Sequence, residues 1–176
     1  GAVERGVKKG DAAAIFELVD KFAGYGFNKS HAAAYALVSY HTAYLKANFP
    51  EEFLAASMTL DLANTDKLSM FAAEAKRSGI AVLPPCVNGS GVDFGAIPPA
   101  AGAKTGGIRY SLAGLKNIGE GAVRTIVDER GKNGPFADLA DFARRLNPKA
   151  LNKRGLEMLS AAGAFDTFEP SRSRVH

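Results

Sequence analysis

The chain has no tryptophan, one cysteine and three histidines in 176 residues. A lone cysteine, Cys86, makes no internal disulfide, and without a CxxC partner it forms no zinc knuckle. Following Pro84 and Pro85, it reads as a small, half-buried residue. His41 and His176 stand apart from any metal-ligand spacing, and His41 inside an apolar helix reads as a packed, hydrogen-bonded residue. Long hydrophobic runs are also missing. The longest charge-free segment, Ala32 to Leu45, is too short to span a bilayer and is broken by Ser39, His41 and Thr42. The N-terminus lacks a signal-peptide pattern, so the expectation is a cytoplasmic protein without a membrane partner. P-loop, HExxH, GxSxG and Asp-x-Asp patterns are all absent. Asp20, Asp61 and Asp66 are scattered among helices as capping or surface charges. A self-contained active site, with a metal or cofactor of its own, is therefore not expected.

What is present is an ordinary globular composition, 47% hydrophobic and 23% charged. The net charge of +4 is unevenly distributed. Residues 51–103 carry 3 basic and 6 acidic side chains, whereas residues 1–50 carry 6 and 4, residues 104–134 carry 6 and 3, and residues 135–176 carry 7 and 5. Basic flanks around an acidic middle suit a polyanion, though an asymmetry this small more often marks a solvated surface.

GAVERGVKKG opens without a cap and resembles the frayed end of a piece cut from a longer chain. Asp11 is placed to cap a helix over 11–23, with Ile15, Leu18, Val19 and Phe22 on one face. Ser30 is placed to cap a second helix that is apolar nearly all round to Leu45, a pattern that calls for cover on more than one side. Pro50-Glu51-Glu52 suits the first turn of a third helix, and Asn64 caps a fourth that Gly79 closes. The period then changes. Short apolar stretches around IAVLPP, VDFGAI and GGIRYSL flank the loop PPAAGAKTGG and predict two or three short strands. From Leu112 helical patterning returns. The expected fold class is mainly α: a helical segment over 1–79, a small β insert over 80–111, a helical hairpin region over 112–168 and a fraying tail over 169–176.

LKNIGEGAVRTIV, Leu115 to Val127, has the pattern of a helix-hairpin-helix. Gly119 and Gly121 let the backbone approach a phosphate, the following helix offers unpaired N–H groups and its dipole, and Lys116 and Arg124 add charge. Such a contact reads no base sequence. The plainer alternative is an αα-hairpin whose glycines only permit tight packing. A second, weaker hairpin is suggested by LNKRGLEML and AAGAFD. Lys149, Lys153 and Arg154 stand before or at the start of its helix, where the dipole does not favour cations; a phosphate partner or a solvated face would each explain them.

In GYGFNKSH, Asn28, Lys29, Ser30 and His31 stand at a helix N-terminus, and Tyr25 and Phe27 beside the glycines offer flat surfaces for a base. These are the parts of a triphosphate site, or of a simple helix cap.

The run from Lys21 to Met58 closely resembles the fingers region of the family C DNA polymerases, the alpha subunits of bacterial replicative polymerase III. The likeness continues through LPP, GLKNIGEG and LNKRGLEMLSAAGAFD, and so covers nearly the whole chain. The resemblance implies a fingers segment followed by helix-hairpin-helix motifs. It implies Tyr25 beside the base of an incoming deoxynucleoside triphosphate, Lys29 and His31 toward the triphosphate, and Ser30 as a further member. It implies primer-template DNA gripped through Gly119, Gly121 and Lys116. The palm carboxylates that hold Mg2+ in that family have no counterpart here, so the chain alone is expected to be inactive, with the parent's remaining domains and replisome subunits as partners. Two other readings stand beside this one: a stand-alone, non-sequence-specific DNA-binding module in which NKSH is only a cap, and a purely structural piece.

Overall fold

A computed structural model describes residues 1–23, 29–147 and 151–172. Its described residues are mainly helical, with seven α-helices and one small three-stranded sheet, as the sequence pattern requires. The chain divides into two compact units, residues 1–44 and 45–176.

In the first unit a single 3-10 turn, Val3–Arg5, closes on Gly6. Helix α1 (Lys9–Ala23) starts earlier than expected, so Asp11 lies in the first turn rather than capping it, still near the positive end of the dipole. Helix α2 (Lys29–Asn48) likewise takes Ser30 into its first turn. The expected cover of α2 is not found among the described residues. No described residue of α1 or α2 is buried; Phe22 is 79% and Tyr40 65% exposed. His41, read from the sequence as packed, is exposed too, its ring 6.2 Å from that of Tyr40. A helix apolar on every side is enclosed only by neighbours on every side, and the described residues of this unit are too few to supply them.

The second unit holds the cores. Helix α3 (Pro50–Leu60) begins with proline and carries Glu51 and Glu52 in its first turn. Helix α4 (Thr65–Arg77) is capped by Asn64, whose side chain accepts from Lys67 N at 3.1 Å. Its end is a Schellman turn: Gly79, at φ +74°, donates to Lys76 O, and Ile80 N donates to Ala75 O. Strands β1 (Ala81–Leu83), β2 (Gly95–Ile97) and β3 (Gly107–Arg109) pair in the order β1-β3-β2, with β3 parallel to β1 and antiparallel to β2. Ile108, at the centre, is fully buried opposite Val82 and Ala96. Leu54, Ala55, Met58, Leu68 and Ala75 pack α3 and α4 onto this sheet with Ile80 and Phe94. The loop between β2 and β3 is fastened at its end, where Gly106 N donates to the buried Glu51 carboxylate at 2.6 Å. A Cβ on Gly106 would lie 1.9 Å from Ile97 O, so only glycine fits there.

A second core gathers helices α5 (Glu120–Asn133), α6 (Leu139–Arg145) and α7 (Lys153–Ala161) around Val123, Ile126, Leu159 and a row of edge-on rings. The Phe136 and Phe142 centroids are 4.9 Å apart, and Phe142 and Phe165 are 5.0 Å apart. Asn88 ties the turn after β1 to this core by pairing with Phe136 both ways, donating to its O and accepting from its N, each at 2.8 Å. Cys86 is buried, its N donating to Ser90 Oγ at 2.9 Å.

Candidate nucleic-acid interface

The hairpin is built by turns over residues 112–117, followed by Ile118, Gly119 and α5. Ile118 is 8% exposed, and Val123 and Ile126 are fully buried; these three anchor the hairpin and fix the direction of α5. The chain reverses at Asn117, which has φ +64° and is the one non-glycine residue with positive φ among those described. The sequence pattern gives Gly119 and Gly121 close approach to a phosphate or tight packing, and does not single out Asn117. The structure puts the left-handed position at Asn117, and the signal was available, since asparagine tolerates that region better than most residues.

Gly119 has φ −73° and ψ 144°, an extended conformation open to any residue. A Cβ built on Gly119 or on Gly121 would meet nothing within 4 Å. Neither turn geometry nor packing among the described residues therefore requires glycine at these positions. No side chain caps α5. The N–H groups of Ala122 and Val123 both turn back to Gly119 O, at 3.0 and 3.2 Å. The N–H groups before them belong to the orphan donors of a helix start, and bare glycines leave space in front of them.

Lys116 is exposed, with no carboxylate within ion-pair distance among the described residues. Arg124 is held differently: its Nε and Nη2 donate to Glu120 Oε1 at 2.8 and 2.6 Å. The start of α7 contrasts with that of α5. Asn152 caps it by accepting from Gly155 N at 2.8 Å, and a Cβ on Gly155 would come within 2.7 Å of Leu151 Cδ1, so this glycine serves packing. Lys153 lies 3.8 Å from Glu157, and Arg154 is exposed. The far end of α7 closes in a Schellman turn at Gly163, where Arg172 donates to Ala161 O at 3.0 Å and pairs with Asp166 at 2.7 Å. Residue 172, in the segment expected to fray, is thus tied to α7.

Two ion-pair clusters brace the region. Arg145 donates to Glu129 at 2.9 Å, to Asp141 at 3.1 Å and to Gly134 O at 2.8 Å, and lies over the Phe136 ring. Its hydrogen bond holds the Glu129 carboxyl below the usual range. The Asp141 carboxyl is lowered first by the Ala137 N–H and then by Arg145. These carboxylates push Arg145 up in turn. Arg172 lowers Asp166 in the same way. Burial lowers Arg130, which donates to Val87 O at 2.6 Å.

Of the residues assigned to a nucleotide, Tyr25 lies outside the described residues. Lys29, Ser30 and His31 form the exposed first turn of α2, and the His31 ring is 4.4 Å from that of Tyr35. Among the described residues no group of three His, Cys, Asp or Glu side chains is placed to hold a metal ion, and no helix is long and apolar enough to cross a membrane.

Comparison with known proteins agrees with the resemblance seen in the sequence. The chain is 50% identical over 175 residues to the DNA polymerase III subunit alpha of Caulobacter vibrioides, 48% over 175 residues to that of Borreliella burgdorferi, and 47% over 168 residues to that of Thermus aquaticus. These alignments cover 99, 99 and 96% of the chain but only 15, 15 and 13% of the relatives. A helix-hairpin-helix motif model matches residues 79–175, which take in the strands, the hairpin and all of α5 to α7. By that match, which extends over more than half of its length, the chain belongs to the helix-hairpin-helix family.

Proposed function

We propose that the chain is a working segment of a bacterial replicative DNA polymerase, acting in the cytoplasm in template-directed DNA synthesis. In this reading it holds the incoming deoxynucleoside triphosphate at the start of α2 and grips the backbone of primer-template DNA at the hairpin. The observation that carries it is the empty space around Gly119 and Gly121, in front of an uncapped 14-residue helix. Close approach by something outside the chain accounts for glycines that nothing inside it requires. The helix N–H groups and Lys116 take phosphate oxygens, and Lys153 and Arg154 are further cations for neighbouring phosphates, whereas Arg124, expected from the sequence to join them, is paired with Glu120. Lys29 and His31 neutralise the triphosphate, with the Ser30 hydroxyl beside them and Tyr25 under the base, and none of them acts as a nucleophile. Among the described residues no cluster of His, Cys, Asp or Glu fits a metal ion, and in this reading the Mg2+ of the reaction is held by carboxylates elsewhere in the parent polypeptide. The segment alone is then inactive, and it works with the parent's other domains and the replisome subunits.

A second reading, a non-sequence-specific DNA-binding module without a nucleotide role, is favoured by one contrast. The hairpin stands on a closed core, while the nucleotide set stands on a helix with no buried residue. Fluorescence anisotropy with labelled duplex and single-stranded DNA over a salt series tests the grip. The expected result is salt-steep, sequence-indifferent duplex binding that a Gly119→Val, Gly121→Val variant loses while keeping its melting curve. Undiminished binding by that variant would remove the hairpin from the interface.

A further inference from the structure

Glu120 puts a negative charge where a phosphate grip needs none. It is the first residue of α5, between the two open glycines, and its Oε1 receives both Nε and Nη2 of Arg124, one turn on. The Arg124 and Glu120 side chains are 63% and 60% exposed, and neither belongs to a core cluster. The pair is therefore not a packing requirement. For the helix by itself the arrangement is favourable, because a first-turn carboxylate complements the dipole and an i,i+4 pair adds support. For a phosphate approaching the same N–H groups it is unfavourable twice over. The carboxylate competes for the positive helix end, and it occupies the guanidinium that would otherwise reach a phosphate.

We propose that Glu120 is a built-in brake on the phosphate grip. It holds Arg124 off the DNA, so that Lys116 and the helix N–H groups grip the backbone without it, loosely enough for the duplex to move through. The proposal rests on the reading of the hairpin as a backbone clamp, and goes beyond it by naming the residue that limits the clamp's strength.

The test is anisotropy of a fluorescein-labelled duplex with the wild-type chain, Glu120→Gln and the double variant Glu120→Gln, Arg124→Gln, from 50 to 200 mM KCl. Glu120→Gln is expected to bind more tightly at low salt and to steepen the log–log salt slope by about 0.9, the increment for one more neutralised phosphate. Over that range its affinity then falls about 3.5-fold further than that of the wild type. The double variant is expected to return to the wild-type slope or below. An unchanged slope in Glu120→Gln, with the wild type binding, overturns the brake and leaves the clamp standing. A steeper slope that survives in the double variant also overturns it, since Arg124 is then not the released cation. No binding by any of the three at 50 mM overturns the clamp, and the brake with it.

Discussion

Asn117 offers a direct test of how the hairpin is built. Its φ of +64° puts an L-residue in the left-handed region, and its side chain is exposed, so substitutions there probe the backbone rather than packing. That region costs an ordinary residue roughly 1–2 kcal/mol, less for asparagine and nothing for glycine. Asn117→Gly removes the residual strain but frees the unfolded chain by roughly 0.4–1 kcal/mol, so the two effects nearly cancel. Asn117→Ala should cost about 1 kcal/mol and Asn117→Val, β-branched, about 2 kcal/mol. At roughly 2–4 °C per kcal/mol for a chain of this size, Tm should be about 3 °C lower for alanine and about 6 °C lower for valine. Glycine should stay within about 1 °C. Circular dichroism melts of the four proteins at one pH give the comparison, and anisotropy with duplex DNA adds a functional readout. Valine should also weaken binding, because the turn at Asn117 sets where the N–H groups of α5 point. An alanine or valine variant as stable as wild type would refute the left-handed turn, and with it the account of how the hairpin aims its helix.

Two further outcomes follow from the ion pairs and from the nucleotide reading. Glu129, Asp141 and Asp166 have their folded carboxyl values lowered by hydrogen-bonded partners. Their contribution to stability is therefore complete above the ordinary carboxylate range and is lost as pH falls through the lowered values. The guanidinium midpoint should decline on acidification below about pH 4, and a midpoint that stays level down to pH 3 would count against these pairs. In the full-length polymerase, Lys29→Ala should reduce kcat/KM for nucleotide incorporation about tenfold or more, the scale of one lost charge-assisted hydrogen bond. An unchanged kcat/KM in a folded variant would remove Lys29 from the triphosphate.

Much of the local architecture is legible in single residues. Pro50 starts α3, Asn64 caps α4 and Gly79 ends it, because each residue type has one cheap use at a helix end. Tertiary pairing was less visible. The placement of β3 between β1 and β2 depends on Gly106, whose missing Cβ lets the chain pass against Ile97 O, and on a carboxylate 55 positions earlier, Glu51. No local pattern encodes such a contact. The two glycine motifs also read alike in sequence, yet Gly155 is pressed against Leu151 while Gly119 and Gly121 face open space. The distinction is one of surroundings, which periodicity does not carry. Helix α2 makes the opposite point: its apolar pattern calls for cover, yet none of its described residues is buried, and a pattern does not say which segment would provide the cover.

On the proposed backbone grip, the starts of α5 and α7 differ in what an approaching phosphate would meet. Both helices present orphan N–H groups and both stand near lysine or arginine, so charge alone does not separate them. At α7 the Asn152 side chain has already satisfied Gly155 N, and a ligand oxygen there would have to displace a hydrogen bond of 2.8 Å while Leu151 crowds the approach. At α5 there is no capping side chain and no crowding atom among the described residues, and what opposes an anion there is the first-turn Glu120 paired with Arg124. An anion arriving at α5 gains contacts that water would otherwise make, whereas at α7 it must first break one. Capping by asparagine is worth about 1 kcal/mol to a helix, and α5 forgoes it. That omission leaves its leading N–H groups available to a partner, while the buried Ile118, Val123 and Ile126 supply the stability of the helix from its other face.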